Sequence, residues 1–181
     1  MTIKAIFLSG ILCLLLPVLM QAQGKIGLDD TDTQASVKAS YLFQFSKYTD
    51  WPDATKQGNF VIGVAGNTSL YNILVNKYAN KAIGSQLLQI VEIKETGSIP
   101  EIIHILYINE ELSNDLPKYI KALRKKPSLV VTEIVGAMDQ GAHINFLQLD
   151  GIIRFEINDT KSQESGVSFS DKLKGWAIKL K

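Results

Sequence analysis

The chain has 181 residues, 19 Lys and Arg against 18 Asp and Glu, and a single cysteine. A formal charge of +1 argues against nucleic acid or an anionic membrane as the main partner, since both select for a strong basic excess. The length suits one domain with a sizeable core. A disulfide-stapled fold is excluded, because Cys13 has no second cysteine to pair with.

The N-terminus reads as Lys4, an apolar run from Ala5 to Met20, and then Gln21-Ala22-Gln23. These are the charged region, hydrophobic region and small-residue cleavage site of a secretory signal peptide. The run holds 16 residues and is broken by Ser9, Gly10 and Pro17, whereas a bilayer-spanning helix needs about 20. Cys13 follows Gly10-Ile11-Leu12, without the small residue that a lipobox places directly before its cysteine. Residues 1–22 are therefore read as a cleavable leader. The protein is expected in an oxidising extracytoplasmic compartment, a bacterial periplasm, and loss of Lys4 with the leader would leave 18 basic against 18 acidic residues.

Residues 23–33 (QGKIGLDDTDT) carry no apolar period and are expected to form a flexible lead-in to a single domain over 34–181. From Gln34 to Tyr48, Val37, Tyr41, Phe45 and Tyr48 recur at helical spacing. Leu42 widens their stripe, and Lys38 and Lys47 fall off it. Trp51-Pro52 ends this aromatic-rich helix. Asn59 to Ala65 predicts a strand. Gly66-Asn67-Thr68-Ser69 then enters a helix with Leu70, Ile73, Leu74 and Tyr78 on one face, and Gln86 to Ile93 predicts the next strand. The βαβ pattern repeats with Ile102 to Ile108, a helix over Ser113 to Lys126 with Leu116, Ile120 and Leu123 inward, and a strand over Leu129 to Thr132.

The last third changes character. Ala142 to Leu149 and Ile152 to Asn158 flank Asp150-Gly151, the dipeptide that a two-residue hairpin turn prefers. Counting back from that turn pairs Leu149 with Ile152, Phe146 with Phe155 and Ile144 with Ile157 on one face. His143, Asn145, Arg154, Glu156 and Asn158 fall on the other, with Leu147 among them. A short helix near Lys161 to Glu164, an extended piece at Val167 to Phe169 and a terminal helix from Ser170 with Leu173 and Trp176 inward complete the chain. The fold class is α/β: a three-layer sandwich whose mixed sheet has two βαβ units followed by an antiparallel hairpin, preceded by the aromatic-rich helix.

Two surfaces stand out as binding candidates. The first helix and its exit bring Tyr41, Phe43, Phe45, Tyr48 and Trp51 together; Phe43 lies on a different side from Tyr41, Phe45 and Tyr48, so Tyr41, Phe43 and Trp51 are candidates for partner contact, Phe43 above all. The second is the polar hairpin face of His143, Asn145, Arg154, Glu156 and Asn158; its bland reading is an Arg154–Glu156 ion pair with Asn158 capping the next turn. Gly66-Asn67-Thr68-Ser69 lacks the Gly-Lys-Ser/Thr of a phosphate loop and reads as an ordinary helix entry. His104 and His143 are the only histidines, at no metal-ligand spacing, and His104 in its apolar strand reads as a satisfied core residue. With no Gly-x-Ser-x-Gly, no His-Glu-x-x-His and no cysteine beyond the leader, neither catalysis nor a metal or cofactor is expected.

Four stretches in fixed order carry a family resemblance. They are Lys38-Ala39-Ser40-Tyr41-Leu42-Phe43-Gln44-Phe45 before Trp51-Pro52; Phe60-Val61-Ile62-Gly63-Val64; His104-Ile105-Leu106-Tyr107-Ile108; and Arg154-Phe155-Glu156-Ile157-Asn158 followed by Gly166-Val167-Ser168-Phe169-Ser170-Asp171-Lys172-Leu173. Together they resemble the YfiR-like family of small periplasmic proteins. The resemblance implies a compact non-catalytic α/β protein, homodimeric in its studied relatives, that represses a membrane-bound diguanylate cyclase by binding its periplasmic portion. That implies a place in cyclic di-GMP signalling and biofilm control; a membrane sensor kinase is the other implied partner. Relatives often carry a cysteine directly before the histidine of the central strand, where this chain has Ile103, so disulfide gating has no residues here. The alternative expectation is a periplasmic small-molecule binding or sensor protein with its pocket near the strand ends, such as the loop after Ala65.

Overall fold

The computed structural model describes residues 30–181. The leader expected over residues 1–22, Cys13 with it, and the lead-in up to residue 29 lie outside the described residues. Helix α1 (Asp30–Tyr48) starts one turn earlier than its apolar pattern indicated, so residues 30–33 belong to the helix and not to a lead-in. Asp32 lies in its first turn, where a carboxylate suits the helix dipole, and accepts a hydrogen bond from Ser69 Oγ at 2.7 Å. The buried stripe also differs. It runs through Ala35, Lys38, Ala39, Leu42, Phe45 and Ser46, whereas Val37 is 38% exposed. Both Ala35 and Ala39 pack inward, and that rotates Lys38 into the interior and Val37 out of it.

In chain order there follow β1 (Thr49–Asp50), β2 (Phe60–Ala65), α2 (Thr68–Tyr78), β3 (Ala82–Ile83), β4 (Gln86–Glu92) and β5 (Ile105–Ile108). Next come α3 (Leu116–Leu123), β6 (Leu129–Thr132), α4 (Ala137–Gln140), β7 (Ile144–Leu149) and β8 (Ile152–Ile157). The chain closes with α5 (Asp159–Glu164), β9 (Ser168–Phe169), α6 (Asp171–Lys174) and β10 (Lys179–Leu180). Asn67 caps α2 by accepting the Leu70 N–H at 2.9 Å, the ordinary role its sequence setting predicted. Helix α3 is shorter than the apolar pattern over Ser113 to Lys126. Its approach, Glu110–Asp115, is 3-10 helix, and Pro117 sits in the first turn, where a missing N–H costs nothing.

The main sheet has the order β10-β8-β7-β6-β5-β2-β4-β3. Strands β4, β2, β5, β6 and β7 run parallel, and the two expected βαβ units are β2-α2-β4 and β5-α3-β6. The hairpin has the register counted from its turn: Leu149 faces Ile152, Phe146 faces Phe155, and Ile144 faces Ile157. Asp150 (φ 50°) and Gly151 (φ 76°) supply the two left-handed residues that a type I′ turn requires. The terminal region departs from expectation. The last helix is only α6, Trp176 is 40% exposed, and β10 adds an unforeseen parallel edge strand to β8. Two residues are too few to read as a strand from sequence.

The sheet is covered on both sides, which makes three layers. On one face α1 and α2 pack over Phe60, Ile62, Tyr107, Val131, Phe146 and Phe155. On the other, α3 and α4 cover Val61, Leu106, Val130 and Ala142. Beside the main sheet, β1 pairs antiparallel with β9 and ties the exit of α1 to the C-terminal region. Gly63 allows the closest approach in the second layer. A Cβ there would lie 2.6 Å from Ile103 Cδ1 and 2.9 Å from Ile93 Cγ1, and both isoleucines are fully packed. Gly63→Ala is expected to cost about 1–3 kcal/mol through overpacking, read as a lower urea midpoint at unchanged slope.

Candidate functional site

The aromatic helix serves mainly as core. Tyr41 meets Phe155 edge-on with ring centroids 5.2 Å apart, and Phe45 stacks near Phe146 at 5.9 Å. Trp51 is 6% exposed and stands edge-on to Phe60 and His104 at 5.2 and 5.3 Å, so it supplies mainly packing. Phe43 lies off this cluster, as does Tyr48, which meets Trp176 edge-on at 5.2 Å. Phe43 is half-buried against α2, stacked on Tyr78 at 4.7 Å, with Lys47 and Lys81 ammonium groups 5.5 and 5.7 Å from its ring centre.

The polar hairpin face divides by burial. His143, Asn145 and Asn158 are buried, Glu156 is half-buried and Arg154 is exposed. Asn158 caps α5 by accepting the Lys161 N–H at 3.0 Å. Glu156 accepts from Asn145 Nδ2 at 3.3 Å, and no Arg154–Glu156 ion pair occurs among the described residues. Asn145 has the most consequential position: its Oδ1 accepts from Thr132 Oγ1 at 2.7 Å and from the Ile134 N–H at 3.0 Å. Those two bonds bracket Glu133 and fix the loop that leaves β6.

Around Glu133 the structure assembles a buried polar cluster that the sequence reading did not single out. Lys38, from α1, forms an ion pair with Glu133 Oε2, the two side chains being only 9% and 14% exposed. Tyr107 donates its hydroxyl to Oε1, and Asn109 Nδ2 donates to the same oxygen at 2.7 Å. Burial first, then the charge of Glu133, pushes the Tyr107 pKa up, which keeps it a donor. Asn67, Asn109 and Glu133 each lie within two residues of the end of a parallel strand, β2, β5 and β6 respectively. That recurrence was available in the sequence, as was the position of Lys38 between Ala35 and Leu42 on the helical stripe. What it lacked was any sign that these loops converge.

Beside the cluster opens a cleft of about 420 Å³ whose lining includes Lys38, Asn67, Asn109, Glu133, Asn145 and Gln148. It lies at the carboxyl ends of the parallel strands. Removing one member of the buried pair leaves the other charge uncompensated, a far worse outcome than removing both. Lys38→Met is therefore expected to cost about 3–5 kcal/mol, whereas Lys38→Met with Glu133→Gln stays within about 1 kcal/mol of the parent. A double-mutant cycle in urea measures the difference.

Both histidines are held neutral by geometry. His104 Nδ1 accepts the Val61 N–H at 3.0 Å, and its Nε2–H points to the Thr55 carbonyl at 2.9 Å. His143 Nδ1 accepts the Val130 N–H at 2.8 Å, and its Nε2 is 2.9 Å from Ser165 Oγ. Burial lowers both pKa values, that of His143 to about 4. The unfolded chain takes up a proton at this residue near pH 6.5 while the folded one resists until about pH 4, so stability falls as pH drops through that window. His143→Asn, whose Oδ1 can still accept the Val130 N–H, is expected to flatten the fall, seen in denaturation midpoints at pH 7.5 and 5.

Among the described residues no group of three or more His, Cys, Asp or Glu is placed to hold a metal ion, and no helix is long and apolar enough to cross a membrane. No curated protein matches the chain. The model of the YfiR/HmsC-like family matches residues 35–177. That span takes in the aromatic helix from Ala35 onward, both βαβ units, the hairpin and the whole Lys38–Glu133 cluster. The chain belongs to the YfiR/HmsC-like family of periplasmic regulators.

Proposed function

We propose that this protein is a non-enzymatic periplasmic regulator that docks on the extracytoplasmic portion of a membrane signalling protein and holds it in one state. The favoured partner is a diguanylate cyclase, which the regulator represses, with effects on cyclic di-GMP and biofilm; a sensor kinase is the second choice. In this reading a leader of residues 1–22 directs export, and residues 34–181 act as one domain, as a homodimer in keeping with the family resemblance. Regulation follows from differential binding: a protein that prefers one state of its partner shifts the equilibrium by that preference.

The observation that carries this reading is the outer face of α1 and α2. From Thr33 to Thr49 and from Ala54 to Val91 the sequence has no Asp or Glu. Of the lysines in those stretches, Lys38 is paired with Glu133 and Lys56 with Asp53. Lys47, Lys77 and Lys81 have no acidic partner among the described residues, and two of them flank the Phe43–Tyr78 stack. Aromatic rings ringed by unpaired cations suit an acidic protein surface with an apolar centre. Three lysines are few for an anionic membrane, where clusters of about 4–8 are usual.

Capture from cross-linked native membranes tests the proposal. The parent protein is expected to recover a membrane-bound cyclase or kinase, and Lys47→Glu/Lys77→Glu/Lys81→Glu to weaken binding to that recovered partner by about tenfold or more. Reversal at Arg124, Lys125 and Lys126, a basic run on α3's far side of the sheet, should change little. Recovery of no membrane signalling protein by the parent would sink the regulator reading. Equal binding by the α1/α2 variant would remove only this face. The lysines are better probes than Phe43, whose replacement also strips packing from Tyr78.

A further inference from the structure

Two strand edges with open main-chain groups border one cavity. In β3, which ends the main sheet, Ala82 lies opposite Leu87. The Leu88 N–H reaches the Lys81 carbonyl at 2.9 Å, so Ala82 holds a non-hydrogen-bonded register position and turns its N–H and C=O away from β4. In β1, Thr49 lies opposite Phe169. The Ser170 N–H reaches the Tyr48 carbonyl at 2.9 Å, which turns the Thr49 carbonyl away from β9 in the same way. Thr49 and Ala82 both line a cavity of about 290 Å³, together with Trp51, Ile83 and Gln86.

A second observation, independent of register, is the side chain of Thr49. The residue is 7% exposed, and its Oγ1 is one of two buried side-chain polar atoms among the described residues with no hydrogen-bond partner. Native interiors rarely leave such a group unmatched. Gln86 commits its side-chain N–H groups to the Thr55 and Gln57 carbonyls, and its Oε1 has no partner among the described residues. An uncharged wall with both donors and acceptors matches a peptide main chain, which carries both. At the rim Asp50 and Asp53 share Lys56. The unbalanced charge there is Lys47, and Lys81, also without an acidic partner among the described residues, stands directly before β3. Cations at the slot and beside it call for carboxylates on what enters.

We infer that the slot between β1 and β3 takes an extended, acidic segment of the membrane partner by strand addition. The segment pairs with the free edge of β3, bonds to Thr49 and sets its carboxylates beside Lys47 and Lys81. This rests on the regulator reading and names how the partner is held. The probe is the full-length membrane protein captured with the parent, in detergent. Ala82→Pro removes an N–H that the β3–β4 ladder does not use, a change that sheet edges tolerate. Thr49→Val removes the unpartnered hydroxyl. Each is expected to weaken the captured partner about tenfold while the urea midpoint holds, or rises for Thr49→Val. In the parent complex, hydrogen exchange at the Ala82 amide should slow by about tenfold or more. Capture of no membrane signalling protein overturns the regulator reading and this inference with it. A captured partner that binds both variants as it binds the parent, or leaves the Ala82 amide exchanging freely, overturns this inference alone. Loss of self-association in the variants with partner binding kept would place a second copy in the slot and overturn it too.

Discussion

The seating of α1 on the sheet is the constraint on which the rest of the structure depends. One helix meets both halves of a mixed sheet. Its Phe45 and Tyr41 pack on Phe146 and Phe155 of the antiparallel hairpin, and its Lys38 reaches Glu133 at the end of a parallel strand. Each aromatic pair contributes about 0.5–1.5 kcal/mol beyond the area it buries. The ion pair adds direction more than strength, because desolvation offsets much of its attraction. Together they set both the height and the rotation of the helix, and the rotation decides which of its residues face outward.

The two electrostatic features of the chain follow from that arrangement. Inward, a lone lysine is matched by one carboxylate that is itself held in place by Asn145 through the backbone of the β6 loop. Outward, α1 and α2 present lysines without acidic neighbours around the Phe43–Tyr78 stack. Near-zero net charge thus says little about any single face, since Thr33 to Thr49 and Ala54 to Val91 hold lysines and no acidic residue. The histidines play no part in this pattern, since each spends its Nδ1 lone pair on a backbone N–H of the adjacent strand.

Much of the architecture was legible in the chain. Period-2 and period-3.6 patterns placed both βαβ units, and Asp150-Gly151 determined the hairpin register to the residue, because a two-residue turn leaves no freedom in pairing. What escaped was short or non-local. Two-residue strands such as β3 and β10 have no period to detect, and α4 spans a single turn. The members of the polar hairpin face met different fates, because burial there depends on α5 and on the β6 loop and not on strand alternation alone. Asn145 became a strut of the cleft, Asn158 a helix cap, and Arg154 stayed in solvent.

Sequence by itself determined the longer elements, their order and the family, since these rest on local periodicity, turn chemistry and ordered motifs. The tertiary structure alone decided the site. Lys38, Tyr107, Asn109 and Glu133 are spread over 96 positions of chain, and only the crossing of α1 over the carboxyl ends of parallel strands brings their side chains within hydrogen-bonding distance. Strand alternation and helical spacing specify which way a side chain points, but not which distant loop it will meet. That is settled by how layers pack, and packing is a property of the whole chain.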